Sequence, residues 1–597
     1  MKRLRILLLA AGLVAGPLAS AQFFQAGSDP YARWREMGTE HFRLVYPAGL
    51  DSLARAYAID LEQWQPQVGA SIGMAPGSLQ WGRTPVVLHP WNPYSNGSVA
   101  WAPKRMDLYT HPEAYGSIPQ PWMTQLTTHE SRHVAQMQLA YRKPFRWLNY
   151  LVGEMWTGGV SAFYTPPVFL EGDAVVAETA LTVSGRGRTS DFLNYYHVAF
   201  DNGDWRDWYK WVYGSYKKAG PDYYTVGYMT VAGMRYFYDQ PAFSSDYLNY
   251  VTTHPFPVAK LQRYIRRVSG KSFKETYQGI MEGFQDIWTE EADARGPFME
   301  MERVTREHAF ATDYTNGSWV DDSEYFAIKR GKDREPRLVR ILLDGTEVDM
   351  GAFSAHTSSL EPGTHRLFWS ETVPGVRWTL DGKSIIRSLE RSGKRRDLTT
   401  EGRLYNPQPG PGGIAVVEYP VEGGSNLVVI DEDDGHLLLR VPAPEGVQLA
   451  DPAWVDSTIY TLGLEDRGFG IWRLDHPKNQ QIFGGPGQEH PERGRAAWTC
   501  VLEPTPQTME NLEGENHVLD FVSDRNGVKE LYRYDPSTGR AWQLTNSRYG
   551  GTDYFWHGDS LWFNSMTPEG TAIFKAKARH RRRSISGKCT DTGWRKR

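Results

Sequence analysis

The chain has 597 residues, 66 Lys and Arg against 70 Asp and Glu, and a formal net charge of -4. That length exceeds one ordinary hydrophobic core and calls for two or more domains. The near balance of charge excludes the broad basic surface that nucleic acid or anionic lipid would need. The two cysteines, Cys500 and Cys589, exclude a disulfide-rich scaffold and a Cys-based metal cluster.

Residues 1–21 read as a secretory signal. Lys2, Arg3 and Arg5 precede a short apolar run, and the small residues Ala19 and Ala21 precede a cleavage point before Gln22. The run is too short to span a bilayer. The most apolar later stretch, "LNYLVGEMWTGGVSAFYTPPVFL", is interrupted by Glu154, three glycines and two prolines. No transmembrane segment is therefore expected after the signal. The protein reads as exported: periplasmic, outer-membrane-associated or secreted.

From residue 22 to about 120 the pattern is mixed. "HFRLVY" alternates as a strand. "DSLARAYAIDLEQWQPQVGASIG" has an Asp cap and helical spacing. "TPVVLHPW" reads as a buried strand, and "NPYSNGSVAWAPKRMDLYT" as a turn followed by an extended segment. From about 121 to 290 the pattern is largely helical, clearest in "DYYTVGYMTVAGMRYFYD" and "FKETYQGIMEGFQDIWTEEAD".

Near residue 300 short alternating runs begin, among them "YFAIKR", "HRLFWSE", "GIAVVEY" and "SLWFNS". "LDG", "DDG" and "STG" supply hairpin turns that accept positive φ. A loose unit recurs at about 40 to 45 residues with one longer interval, the period of a four-stranded propeller blade. Six units fit 301–577, in preference to an irregular β-sandwich, and the sixth reads as unfinished. Residues 578–597 form a basic irregular tail with neither alternation nor an apolar face. Cys589 lies there, so a Cys500–Cys589 bridge is not expected. The units resemble the six-bladed TolB-like propellers of exported bacterial proteins, matched by pattern alone.

The chemistry concentrates in "LTTHESRHVAQMQ", residues 126–138. His129 and His133 are four apart, so their imidazoles leave one helix face about a turn apart, the spacing that lets both bind one zinc ion. Glu130 lies beside the first His, placed to take a proton from an attacking water. The plain alternative is two helix histidines with surface roles. A catalytic zinc takes three protein ligands. Downstream, "PPVFLEGDAVVAETALTV" reads as a second helix. Glu171 opens it, 38 positions after His133, and Glu178 follows seven later on the same face. Glu171 suits a ligand and Glu178 a partner to a ligand His. Asp173 competes as a ligand, and both glutamates also suit a helix N-terminus as simple charges.

"HESRH" followed by "FLEGDAVVAE" resembles the gluzincin metallopeptidases, nearest the aminopeptidase-like branch, whose second helix reads Glu-Gly-x-Ala-x-x-x-Glu. Here those positions are Glu171, Gly172, Ala174 and Glu178. The resemblance spans residues 35 to 290. It implies a zincin-like α+β domain over 22–300, zinc ligands at His129, His133 and Glu171, and Glu130 as general base. It also implies a tyrosine in a Tyr-x-x-Gly helix that donates to the oxyanion. Tyr224, three before Gly227, matches; Tyr223 and Tyr228 are close competitors.

The chain departs from that branch at the strand before the zinc helix. The branch carries Gly-x-Met-Glu-Asn, whose Glu grips the substrate's free amine. "SNGSVAWAPKRMDLY" has no Glu, with Asp107 the one substitute. An extended strand there can still pair with a substrate backbone. The expected activity is therefore zinc-dependent hydrolysis of peptide or protein substrates, as an endopeptidase in preference to an aminopeptidase. The aromatic, Gly-rich segment 145–168 suits either a lid or ordinary core. Two rival readings stand. One is a silent peptidase-like scaffold whose propeller binds envelope proteins; the other is a glycosidase with paired carboxylates. No phosphate-binding Gly loop or Ser nucleophile elbow is present.

Overall fold

The computed structural model describes residues 31–74, 83–116, 118–138, 146–254, 258–378, 380–390, 392–475, 497–577 and 583–584. The secretory segment, Cys589 and nearly all of the basic tail lie outside the described residues. Cys500 is a free thiol.

The N-terminal region opens with β1 (Trp34–Gly38) and β2 (Phe42–Pro47), followed by α1 (Asp51–Ala70), β3 (Thr84–His89), β4 (Asn96–Ala100) and β5 (Arg105–Tyr109). Asp51 does not cap α1. Leu50 is the N-cap, and the Asp51 carboxylate instead accepts from Arg35 Nη1 at 2.9 Å and Tyr46 OH at 3.0 Å. The segment read as a turn and one extended piece is a hairpin: β4 pairs antiparallel with β5 from Asn96 to Ala100. The sheet order is β1-β2-β3-β5-β4, so β4 is an edge strand. Alternation sends Phe42, Leu44, Val86, Leu88, Met106 and Leu108 into one core beneath α1 and the helix that follows.

That helix is α2 (Trp122–Gln138), buried on nearly every side. Next come α3 (Arg146–Val152), α4 (Glu154–Tyr164), α5 (Pro167–Leu181), α6 (Ser190–Asp201), α7 (Trp208–Tyr213), α8 (Tyr223–Phe237), α9 (Phe243–Thr253), α10 (Lys260–Ser269) and α11 (Phe273–Arg295). Local chemistry sets their starts. Pro167 sits at the first positions of α5, where no backbone donor is missed. The Asp222 carboxylate caps α8 through Tyr224 N, and Ser272 with Glu275 forms a capping box on α11. Phe169, Tyr196, Trp211, Met229, Tyr247 and Phe284 fill the shared core, each contributing roughly 1.5–3 kcal/mol of burial.

The propeller has six sheets of four blade strands each among the described residues. The innermost strands are Thr312–Asp321, Glu361–Pro362, Leu404–Gly410, Gln448–Val455, Met509–Glu515 and Thr552–His557. The expected hairpin glycines 345, 435 and 539 have φ of 81°, 75° and 65°. The sixth blade is not open, contrary to the sequence reading. β6 (Glu302–Arg303) pairs antiparallel with Gly570–Lys577 through Arg303↔Phe574 and Glu302↔Lys575, so the chain closes the ring with residues from before the first blade. Closure removes an exposed sheet edge. Within the tail, Arg583–Ser584 adds a short strand beside Arg540–Gln543.

The two parts are pinned through α6. Ser190 N donates to Asp524 Oδ2 at 3.0 Å, and Asp201 accepts from Arg548 Nε at 2.7 Å and Tyr549 OH at 3.0 Å. Lys529 joins Asp191 and Glu510. Among the described residues no helix is long and apolar enough to cross a membrane.

Candidate metal centre

His129 and His133 share one face of α2, and Glu171 reaches them from the first turns of α5. The two helices are locked by Arg132, whose guanidinium forks onto Asp173 with both bonds at 2.8 Å. Asp173 also accepts from Gln136 Nε2 at 2.7 Å and from Ser244 at 2.5 Å. It is thus a buried strut between helices and does not serve as a rival ligand.

The ligand atoms converge. His129 Nε2 lies 3.2 Å from His133 Nε2, and Glu171 Oε2 lies 3.3 Å from the first and 3.1 Å from the second. The other ring nitrogens fix the tautomers. His133 Nδ1 donates to Gln136 Oε1 at 2.9 Å, and His129 Nδ1 to Glu178 Oε2 at 3.0 Å. Arg186 Nη2 stands 2.8 Å from the same His129 Nδ1, but its proton has Glu178 Oε2 at 2.9 Å. When both rings are neutral, as metal ligation requires, these partners leave both Nε2 lone pairs facing the Glu171 oxygen. Two imidazole nitrogens and one carboxylate oxygen are a donor set that fits zinc.

Charge is arranged around this cluster. Burial disfavours ionised Glu178, but Arg186, by its charge and hydrogen bonds, outweighs that and holds the carboxyl down at about 2. Burial likewise opposes a charged His133, yet Glu171 and Glu130 raise it to about 9. Glu130 is 4% exposed and its carboxyl is pushed up, chiefly by burial, against the pull of His133 and His129. Its Oε2 has no hydrogen-bond partner among the described residues. The other oxygen lies under Gly97 of the edge strand, where an added Cβ would come within 2.7 Å of Glu130 Oε1. A side chain at position 97 would make Leu126 and Glu130 shift.

A second pair of glycines sets the position of Tyr224. A Cβ on Gly172 would meet the Gly227 carbonyl carbon at 2.1 Å, and one on Gly227 would meet Val168 O at 2.0 Å. Helices α5 and α8 therefore cross backbone to backbone. This brings the Tyr224 ring parallel to His129, with centroids 6.4 Å apart, and its phenol to Glu171, which with burial raises the phenol's pKa. The Arg186 guanidinium covers the Tyr224 ring at 5.4 Å. Of the competitors, Tyr228 is buried against Gly187, and Tyr223 stacks on Tyr224.

Asp107 does not replace the amine-gripping glutamate. It is buried and held by His89 Nε2 at 2.9 Å and Arg105 Nε at 2.7 Å. Within the segment 145–168, Arg146–Val152 and Glu154–Tyr164 form α3 and α4, and Pro167 already opens α5. Glu154 accepts from Lys104 N at 2.6 Å and Gly158 rests on Trp101 O, so α4 leans on the β4–β5 turn, while Trp147, Tyr150, Leu151 and Phe163 are exposed.

Sequence reasoning missed Arg186, Gln136 and the loop that joins β5 to α2. That loop is clamped by the propeller. Tyr115 OH lies 3.0 Å from Ser370 Oγ, Asn406 Nδ2 donates to Ala114 O at 3.1 Å, and His111 packs on Tyr405 and Tyr419. The carboxyl of Glu113, on the same loop, is pushed up by burial, with Arg186 opposing and Glu178 adding. A cavity of about 600 Å³ lies elsewhere, between the end of α11 and the last two blades.

No family model and no curated protein matches the chain. Solved structures similar to it include TolB from Acinetobacter baumannii, at 12% identity over 44% of this chain and 66% of that one, TM-score 0.30. A prolyl endopeptidase shares 9% identity over 51% of this chain and 48% of its own, TM-score 0.28. The β-propeller domain of the Trilobed protease from Pyrococcus furiosus shares 9% over 47% and 97%, TM-score 0.28. The chain thus spans just under two thirds of the TolB structure and about half of the prolyl endopeptidase. These likenesses say nothing of activity, and the six-bladed propeller is read from the sheets themselves.

Proposed function

We propose that this chain is an exported zinc-dependent endopeptidase. The observation that carries the reading is the meeting of His129 Nε2, His133 Nε2 and Glu171 Oε2 beside a buried glutamate whose free oxygen has no partner. A zinc ion held there supplies Lewis acidity, which lowers the pKa of water and polarises a peptide carbonyl.

The chain's own groups do the rest. Glu130 takes a proton as the water oxygen bonds to the carbonyl carbon, then delivers it to the amide nitrogen as the C–N bond breaks, leaving a carboxylic acid and an amine. Tyr224 donates to the oxyanion. Glu178 and Gln136 hold the two imidazoles in the tautomer that presents Nε2. β4 ends the sheet order among the described residues and passes close to Glu130, and an edge strand is the place where an extended substrate adds to a sheet. With Asp107 locked in its ion pairs, a free substrate amine has no carboxylate to hold it at this strand, which favours cleavage within a chain.

The test is cleavage of one peptide in free-amine and N-acetylated forms, before and after metal removal by a chelator and restoration with zinc. Both forms should be cut about equally, and activity should vanish and return with zinc. Activity that survives chelation overturns the metal, and cleavage of the free-amine form alone overturns the endopeptidase assignment.

A further inference from the structure

The propeller axis holds a second concentration of charge, far in character from the histidine cluster. A cavity of about 220 Å³ lies where the innermost strands meet, and the Ala114–Gly116 stretch of the clamped loop closes one side. Four of the six blades place a carboxylate on it: Glu361, Asp451, Glu510 with Glu513, and Asp553. No Lys, Arg or His is among the lining residues.

Most of these acids are satisfied from within the protein. Asp451 accepts from Asn406 Nδ2 at 2.6 Å and Asn511 N at 2.8 Å. Asp553 accepts from Asn316 N at 2.7 Å, Asn564 Nδ2 at 2.6 Å and Asn511 Nδ2 at 3.1 Å. Glu510 pairs with Lys529, and Glu513 accepts from Gln408 Nε2 at 2.9 Å. Glu361 differs. It is 5% exposed, and its Oε2 has no hydrogen-bond partner among the described residues. Burial and the like charges of Glu513, Asp451 and Asp553 together push its carboxyl up, against a hydrogen bond from Gln408. A buried carboxylate with one oxygen unpartnered among other acids is costly unless a proton or a cation answers it.

We propose that the propeller axis binds a hard divalent cation, Ca2+, between Glu361 and Glu513. All the ligand atoms on offer are oxygens: carboxylates, the amide side chains of Gln408 and Asn406, and backbone carbonyls. Ca2+ takes six to eight such ligands in flexible geometry. The axial carboxylates are not drawn into a single tight set of three. The cavity has room for several waters, so the ion keeps part of its hydration. The site joins blades two and five across the axis and lies directly behind the loop that leads into α2. The proposal is independent of the peptidase reading, because zinc prefers the nitrogen-rich cluster and Ca2+ the all-oxygen one.

The experiment uses the full chain with zinc loaded, in otherwise metal-free buffer at neutral pH. Ca2+ binding is measured by calorimetry and thermal unfolding for the parent, Glu361→Gln, Glu513→Gln and Asp434→Asn. The last variant controls for the Asp431, Asp434 and His436 group, the other set of potential ligands among the described residues. The expected result is one Ca2+ per chain and a raised Tm in the parent and Asp434→Asn. Both glutamine variants should bind more weakly by on the order of tenfold or more. If one variant fails to fold, the other decides. No Ca2+ binding by the parent, or equal binding by parent and both glutamine variants, overturns the proposal.

Discussion

Glu178→Gln is the sharpest probe of how the cluster is held. The Glu178 carboxylate has no exposed surface and accepts from Arg186 N at 3.1 Å, Arg186 Nε at 2.8 Å, Arg186 Nη2 at 2.9 Å and His129 Nδ1 at 3.0 Å. Its carboxyl is held at about 2, against an ordinary 4.5. That difference corresponds to about 3 kcal/mol in favour of the ionised form. A second route gives the same size. Glutamine keeps the shape but leaves the Arg186 charge without its counter-charge, which costs roughly 3–5 kcal/mol when one partner of a buried pair is lost. Arg186 is 25% exposed, which pulls the figure to the lower end. The sign with pH follows, because a depressed carboxylate contributes stability above its ordinary pKa and loses it as pH falls toward about 2. The variant should therefore unfold at lower urea than the parent at pH 7, and the gap should narrow at pH 3. Zinc affinity, read by competition with a coloured chelator, should drop about 10- to 100-fold as the His129 acceptor loses its negative charge. A variant with the parent's urea midpoint and zinc affinity refutes this account of the second carboxylate.

Tyr224→Phe should lower kcat by about 10² to 10³ with zinc content unchanged, the usual loss of an oxyanion donor; unchanged kcat removes Tyr224 from the mechanism. Gly172→Ala or Gly227→Ala gains about 1 kcal/mol of helix propensity but meets backbone at 2.1 Å or 2.0 Å, which cannot yield. Each should lower Tm and should cost kcat more than KM as Tyr224 moves off Glu171. Glu530 is buried, and burial raises its carboxyl to about 7 despite bonds from Thr545 and Ser547. The folded state therefore holds a proton that the unfolded state releases above about 4.5, and stability falls as pH rises between the two. Glu530→Gln should flatten that fall, recovering about 3 kcal/mol at pH 8; a thermal unfolding series from pH 5 to 8 measures it.

The convergence of His129, His133 and Glu171 was legible because helix geometry converts spacing into direction: residues four apart on α2 and seven apart on α5 had to share faces. The glycines in "LEGDAVVAE" and "YYTVGYM" were legible as pattern, but their reason, a backbone contact between two helices, emerges only in three dimensions. The six blades were legible through alternation and turn residues. The closing strand was not, because "ER" at Glu302–Arg303 is two residues long and draws its pairing wholly from a partner 270 positions away. Arg186 was equally hidden. It sits in a short 3-10 turn, Arg186–Arg188, with no periodicity, and its importance comes from the carboxylate it finds. Asp107 and Asp173 had the right charge for roles at the site, but Arg105 with His89 holds the first and Arg132 the second.

The central claim is tested most directly by comparing the parent with Glu130→Gln, measuring zinc per chain and cleavage of a mixed peptide library on both. Glu130 touches no ligand atom, so both proteins should hold about one zinc and only the parent should cleave. Equal cleavage by the two, or the absence of zinc from both, contradicts the assignment of this cluster as a catalytic metal centre.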